Sequence, residues 1–328
     1  MRAVVCDGPG DESVLRLADV AAPPAKRESE LRIRVRATAL NRADLLQRKG
    51  LYPPPPGASE FLGLECAGEV IEAGARASGW RVGDRAMALL PGGGYAEEVV
   101  VDAGSAMPIP EALSFEEAGA FPEAFLTAFS NVFQIGQPPP GGTVLVHGGS
   151  GGVGTAAIAL CREAGLRVLV TAGGPDRCRR CEDLGAALAI DHRAGDFAAR
   201  VREATGGRGV DVVLDCIGGK YLAQNLASGA IGGRLVVIGL MGGAKAEIDL
   251  ALLMKTRASV HGSTLRSRPL GEKAALVAAF LARFGAALCA GRLRPVIDRV
   301  LPLGDVALAH RLMQSGEHFG KIVLRVAS

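Results

Sequence analysis

The chain has 328 residues, with 37 Lys plus Arg against 34 Asp plus Glu for a formal net charge of +3, and 48% of its residues are hydrophobic. That length exceeds what one core usually serves and predicts two domains, while scattered arginines with no basic run disfavour a nucleic-acid partner. The seven cysteines, at 6, 66, 161, 178, 181, 216 and 289, are odd in number and dispersed, as suits reduced thiols; with an N-terminus that turns polar at once, this leads us to expect a cytoplasmic protein.

In chain order, Arg2 to Val5 and Leu15 to Leu17 alternate as short strands. Leu31-Arg-Ile-Arg-Val-Arg-Ala37 has strict period two, a half-exposed strand with its arginines outward. Its end delivers Asn41, followed by a short helix over 42–48 and an extended, polyproline-like loop, Tyr52-Pro-Pro-Pro-Pro-Gly57. Further strands are predicted over 61–71, 83–90 and 95–101, so the first part is mostly β. From Phe115 the pattern turns helical, with Phe125 to Phe129 inside a helix.

The stretch from Thr143 to Gly165 organises the middle of the chain. Val144, Leu145 and Val146 read as a buried strand, and Val153 to Ala164 has Ala, Ile and Leu at helical spacing. Between them Gly149, Gly151 and Gly154 stand in G-x-G-x-x-G register, which gives a tight turn, lets backbone approach a pyrophosphate and lets helix pack on strand. The helix N-terminus then offers free N–H groups to phosphate. A second strand, Arg167 to Thr171, comes next and gives the motif the context it needs; the alternative is a glycine turn without ligand. Strands over 187–190, 210–215, 234–239 and 259–263 alternate with helical stretches, which predicts a doubly wound parallel sheet.

Cys178-Arg-Arg-Cys181 has no second pair at zinc spacing and reads as two helix cysteines. Ala274 to Gly291 places Leu276, Phe280, Phe284 and Leu288 on one helical face, an amphipathic helix rather than a membrane span. The runs 296–301 and 321–324 close the chain as strands returning to the first domain.

Ala39-Leu-Asn-Arg-Ala-Asp44, Tyr52 to Gly57, Ala88-Leu-Leu-Pro-Gly-Gly-Gly94, Pro122-Glu-Ala-Phe-Leu-Thr127, the glycine turn, Asp215-Cys-Ile-Gly-Gly219, Gly239-Leu-Met-Gly-Gly243 and Gly320-Lys-Ile-Val-Leu324 span the chain. Together they resemble the zinc-independent quinone oxidoreductase branch of the medium-chain dehydrogenase/reductases, the tumour-suppressor-inducible quinone oxidoreductases more than the zeta-crystallins. The resemblance implies an α/β fold, a Rossmann doubly wound parallel sheet plus a mostly β GroES-like domain, and usually a homodimer. We expect the GroES-like domain over 1–124 and 266–328 and the Rossmann domain over 125–265. Zinc-bearing relatives carry a cysteine where Asn41 stands and a histidine where Leu64 stands, so no metal site is expected, and alcohol oxidation with it is disfavoured.

For the cofactor, Ser150, Gly151, Gly152, Val153 and Gly154 face the pyrophosphate. At the end of the second strand an acid would bind the ribose 2′-OH of NAD, but the chain reads Thr171-Ala-Gly-Gly174 and then Arg177. By resemblance Arg177 takes the place of a lysine on a 2′-phosphate and Gly174 that of a serine, which favours NADPH; the alternative for Arg177, beside Asp176, is a solvated first-turn arginine. His192 stands where relatives carry Tyr or His near the adenosine, or is an exposed loop histidine. Cys216, Ile217, Gly239, Leu240 and Met241 end two strands and face the dinucleotide, and Ser263, Leu265 and Lys321 are carried over from relatives, a lysine near a C-terminus being otherwise a solvated one.

By the same resemblance Asn41, Tyr52 and Thr127 line the reacting centre, where a nicotinamide between the domains would pass hydride to an acceptor. The alternatives are a turn Asn, a packing Tyr and a helix Thr bonded to its own backbone. No strong general acid is evident among them; Glu65 and Glu123 are more readily read as buried glutamates paired with arginines. A quinone, whose reduced oxygens take protons from water, is therefore the expected substrate of an NADPH-dependent quinone oxidoreductase. An alkenal or enoyl double-bond reductase is one alternative, and an NADPH-binding regulator or RNA-binding protein with little turnover another. The homodimer is expected to form through Rossmann edge strands near Val260.

Overall fold

The computed structural model describes residues 1–24 and 27–326. In chain order the elements are β1 (Arg2–Cys6), β2 (Leu15–Asp19), β3 (Glu30–Ala39), α1 (Arg42–Arg48), β4 (Glu65–Ala73), β5 (Arg85–Leu89), β6 (Glu98–Asp102), β7 (Ala106–Pro108), α2 (Phe115–Gly119) and α3 (Pro122–Phe129). There follow β8 (Thr143–His147), α4 (Gly152–Glu163), β9 (Arg167–Ala172), α5 (Pro175–Asp183), β10 (Leu188–Asp191), α6 (Phe197–Ala204), β11 (Val210–Asp215), α7 (Leu222–Ser228), β12 (Gly229–Val237), α8 (Leu250–Thr256) and β13 (Ser259–Gly262). The last are α9 (Leu270–Cys289), β14 (Ile297–Pro302), α10 (Val306–Ser315) and β15 (Lys321–Arg325). Two units divide them: Met1–Leu126 with Leu265–Ser328, and Thr127–Thr264.

The first unit is built on a sheet of order β14-β15-β3-β4-β5-β7, with β6 also paired to β3 and a separate β1-β2 hairpin. β3 shows why the period-two sequence folds this way. Leu31, Ile33 and Val35 are buried, whereas Arg32 pairs with Glu98 at 3.3 Å and Arg36 with Glu69 at 3.1 Å. Burying one face contributes roughly 25 cal/mol per Å², and the ion pairs on the other add little. The return of β15 beside β3, with Val323 opposite Ala39, brings the end of the chain next to residues 39–41. α9 buries Leu276, Phe280, Phe284 and Leu288, the predicted stripe, and among the described residues no helix is long and apolar enough to cross a membrane.

The second unit is an all-parallel sheet of order β10-β9-β8-β11-β12-β13. This is the doubly wound order in which the chain reverses direction between β8 and β11, the crevice where such sheets bind ligands. β8 is buried along its whole length, as a central parallel strand covered on both faces must be. At its carboxyl end His147 bonds Thr171 Oγ1 at 2.9 Å and Asn225 Oδ1 at 2.6 Å, and Asn225 Nδ2 donates to Asp215 at 3.0 Å. Burial pushes His147 down to about 4, so the imidazole is neutral and ties the ends of β8, β9 and β11 to α7.

Several elements differ from the sequence reading: β7 was not predicted, and the strand expected over 234–239 runs from Gly229 to Val237. The strand expected over 61–71 begins at Glu65, because Leu62 and Gly63 accept backbone N–H bonds from Tyr95 and Gly94 in a loop pairing instead. The same pairing delays the strand expected at Tyr95 until Glu98. α10 was not anticipated, although Val306, Ala309, His310 and Met313, all buried, have the spacing of one helical face.

Candidate functional site

In the second unit the nucleotide turn follows from close approach. Positive φ, +71°, falls at Gly148 rather than at Gly149. A methyl on Gly149 would stand 2.6 Å from Val170 Cβ, and one on Gly154 would stand 2.2 Å from the Gly148 carbonyl oxygen; any larger residue would push α4 off the sheet. Gly151 caps α4 with no side-chain bond, so the first N–H groups of this 12-residue helix remain available to an anion. Ser150, Gly152 and Val153 complete the turn.

At the end of β9, Gly174 has φ +91°, where a serine would be strained. Its N–H donates to Asp191 Oδ1 at 3.0 Å, and the Arg193 N–H does the same at 3.0 Å. These bonds hold the Asp191 carboxyl below its ordinary range and fold the next loop back over Gly173. A methyl on Gly173 would lie 3.2 Å from His192 Nε2 and 3.3 Å from Arg193 Nη2. Asp176 pairs with Arg179. His192 and Arg193 therefore lie against this strand end, Arg177 stands in the first turn of α5, and Arg193 is the one sequence reasoning missed.

Cys216 and Ile217 follow β11, where the Asp215 carboxylate accepts the Ile217 N–H at 2.6 Å. Gly239 approaches closely enough that a methyl there would be 2.9 Å from the Cys216 carbonyl oxygen. Leu240 and Met241 are exposed, and the Ser263 N–H donates to the Val237 carbonyl at 3.0 Å. Thr127 belongs to this unit too. Its carbonyl accepts from Asn131 Nδ2 at 2.7 Å, but its hydroxyl has no partner among the described residues, so it is not bonded to its own helix.

In the first unit, Asn41, Tyr52, Leu265 and Lys321 surround a polar cluster. Lys321, 3% exposed, donates to Leu40 O at 2.8 Å, Asn41 Oδ1 at 2.7 Å and Glu65 Oε1 at 2.7 Å. All three of its N–H bonds are committed, so it is neither solvated nor at liberty to bind a dinucleotide directly. Asn41 Nδ2 donates to Glu65 Oε1 at 2.9 Å, and the Glu123 N–H donates to Glu65 Oε2 at 2.9 Å. Asn41 is free to do this because Asp44 reaches back to its N–H at 2.7 Å at the start of α1. Asp44 also accepts from Tyr95 OH at 3.1 Å and the Gly63 N–H at 3.1 Å, and burial raises it to about 6.

The arginine partners expected for the two glutamates are absent among the described residues. Glu65, 0% exposed, pairs with a lysine, because β15 delivers Lys321 where no arginine reaches. The Glu123 carboxyl has no hydrogen bond among the described residues, and burial followed by the charge of Glu65 pushes it up to about 8. It is one helical turn before Thr127 on α3. Arg266 was also missed. It binds Pro91 O at 2.7 Å, Tyr52 O at 3.1 Å and Gln47 Oε1 at 2.7 Å, and lies 5.3 Å from the Tyr52 ring centre. Lys273 in turn donates to Arg266 O at 2.7 Å. Leu265 beside it is buried. Tyr52 is thus clamped at its backbone and ring, with a hydroxyl that has no partner among the described residues; burial and Glu123 hold it above its ordinary pKa. A separate cavity of about 370 Å³, lined by Val4, Cys6, Pro9, Gln47 and Phe61 among others, includes none of Asn41, Tyr52, Glu65, Glu123 and Lys321.

Residues 27–111 match the family model of the alcohol dehydrogenase GroES-like domain, and 152–282 that of zinc-binding dehydrogenase. The human synaptic vesicle membrane protein VAT-1 homolog is 34% identical, covering 99% of this chain and 86% of its own. The phthioceranic/hydroxyphthioceranic acid synthase of Mycobacterium tuberculosis is also 34% identical over 97% of this chain, which spans only 15% of the synthase. Among solved structures, an NAD-dependent alcohol dehydrogenase superposes with a TM-score of 0.87 at 34% identity over all of both chains. CurK enoyl reductase gives 0.87 at 27% over 99% of each. The Escherichia coli quinone oxidoreductase complexed with NADPH gives 0.85 at 25% over 99% of this chain and 100% of the other.

Removing one member of a buried ion pair leaves an uncompensated charge. Lys321→Met should therefore cost about 3–5 kcal/mol of stability, and the double variant Lys321→Met, Glu65→Gln should recover at least half of it. Guanidinium chloride unfolding reads both; a loss below about 1 kcal/mol in the single variant would mean that the pair is not buried as described.

Proposed function

The chain belongs to the zinc-independent quinone oxidoreductase-like branch of the medium-chain dehydrogenase/reductase superfamily, and from that premise we propose that it is an NADPH-dependent quinone reductase. It is an oxidoreductase with a nicotinamide-binding fold; the finer reading concerns which nicotinamide and which acceptor. The observation that carries NADPH is the end of β9, where an acid would select the ribose of NAD. There Gly174 supplies no acid, and Arg177, His192 and Arg193 supply donors suited to a 2′-phosphate.

The residues fit the cofactor. The turn from Gly148 to Gly154 and the α4 N-terminus would hold the pyrophosphate, and the backbones of Cys216, Ile217, Gly239, Leu240 and Met241, with Ser263, would follow the rest. When bound, the reduced nicotinamide supplies hydride from C4. Asn41, held by Lys321 and Glu65, keeps a fixed amide, and Tyr52 and Thr127 keep hydroxyls able to donate to a quinone oxygen or the carboxamide. Lys321 acts through Asn41 in this reading, not on the cofactor.

A second reading, an alkenal or enoyl double-bond reductase, is favoured by Glu123. The preference for quinones rests on the lack of an evident acid in the sequence, and Glu123 supplies one. We also propose a homodimer through β13, an outer strand of its sheet, where Val260 is exposed, as are Leu250 and Met254 on α8; a single-chain mass in solution would exclude it.

Quinone-dependent oxidation should be much faster with NADPH than with NADH. Arg193→Ala and Arg177→Ala should each weaken NADPH binding roughly 10-fold, the scale of one lost charge-assisted bond, with little effect on NADH. Fluorescence titration of both cofactors checks this; equal losses for the two would remove the 2′-phosphate assignment, and no oxidation by any quinone would remove the reductase.

A further inference from the structure

Besides the tyrosine hydroxyls, the polar cluster of the first unit holds five carboxyl and amino groups that could give up a proton, and four are committed. Asp44 is fully buried and accepts three hydrogen bonds. Glu65 accepts from Lys321 and Asn41 on one oxygen and from the Glu123 N–H on the other. Lys321 has all three N–H bonds on protein acceptors. Lys273 is 2% exposed and bonds Arg266 O. Glu123 differs: it is half-buried, its carboxyl has no hydrogen bond among the described residues, and its own backbone N–H is fixed on Glu65. Its carboxyl is thus fixed at its root through the backbone and unbonded at its tip.

We propose that Glu123 is the proton donor when this protein reduces an electron-poor carbon–carbon double bond, an α,β-unsaturated carbonyl compound or thioester. The inference rests on the nicotinamide-dependent reductase reading and deepens its substrate class. When bound, NADPH would supply the hydride, the electron pair of its C4–H bond becoming the C–H bond at the β-carbon. The π electrons move toward the α-carbon, where a second C–H bond forms as the Glu123 O–H bond breaks. The products are the saturated carbonyl compound, NADP⁺ and the Glu123 carboxylate, which regains a proton from water.

Geometry and electrostatics agree. The charged groups around Glu123 are Glu65 on β4, Asp44 on α1, Lys321 on β15 and Lys273 on α9, with Tyr52 and Arg266 near it. Lys321 and Lys273 favour its ionised form, and burial with Glu65 and Asp44 outweighs them, so it is pushed up to about 8. A general acid must carry its proton at working pH. Tyr52 is the unit's phenol without a partner among the described residues, and its raised pKa makes it the weaker acid. The sign follows: turnover of alkenes is level below pH 8 and falls as pH rises through it. Because the folded pKa exceeds the unfolded one, the same group's contribution to stability is present at acid pH and is lost as pH rises toward 8.

The test compares wild type with Glu123→Gln and Glu123→Asp on an enone and on a quinone, with NADPH and across pH. Glu123→Gln should lower kcat on the enone roughly 100-fold, with KM changed by less than about three-fold, and should abolish the fall above pH 8; quinone turnover should fall less, and Glu123→Asp should restore part of the enone rate. Independently of activity, infrared titration of the cofactor-free protein should show a protonated-carboxyl band lost near pH 8 and missing in Glu123→Gln. Thermal unfolding checks that the variants fold. Enone reduction undiminished in Glu123→Gln, a Glu123 carboxyl already ionised at pH 6, or a wild type active on quinones alone would each overturn the proposal while leaving the reductase reading intact. A wild type inactive with every acceptor would overturn both.

Discussion

The first unit depends on one buried ion pair. Lys321 and Glu65, 2.7 Å apart, come from strands 256 residues apart in the chain, and their attraction roughly offsets the cost of taking both from water. Net stability is therefore not what such a pair supplies. Its consequence is geometric: with every N–H of Lys321 and both oxygens of Glu65 committed, Asn41 has one orientation and the first turn of α3 is fixed through the Glu123 N–H. Glu123 lies beside this pair, and burial with the Glu65 charge outweighs Lys321 and Lys273 and pushes its carboxyl up to about 8.

The second unit reaches its precision by other means. Backbone contacts too close for a methyl group set the turn between β8 and α4, and a neutral buried histidine locks the strand ends around the switch point. The side chains to which the proposed cofactor selectivity is assigned lie at the end of β9. There Asp191 turns its carboxylate onto two backbone N–H groups, and the loop it folds carries Arg193.

What was legible in the sequence was local. The strand–glycine–helix–strand unit needs only neighbouring residues, and so do the period-two strand β3, the helix from Arg42 to Arg48 and the apolar stripe of α9; all are found where the sequence places them. The doubly wound sheet follows from alternation alone. Long-range burial was not legible. Nothing near Lys321 says that β15 will carry it against Glu65, so it reads as a cofactor residue carried over from relatives or as a solvated lysine, and the glutamates are given arginines because arginines are many. Arg266 and Lys273 carry no local signal at all. Arg193 has one, an Asp two residues before it at a strand end, and α10 has its helical spacing; both could have been found.

Isotope tracing reads the hydride and the proton separately: NADPH carrying deuterium at C4, in each of the two stereochemical forms, is supplied with an enone in ordinary water, and unlabelled NADPH is supplied in heavy water. One of the labelled forms should deliver its deuterium to the β-carbon, and solvent deuterium, entering through Glu123, should be found at the α-carbon. Saturated product without cofactor deuterium from either form would contradict this chemistry, because the hydride would then not come from the nicotinamide.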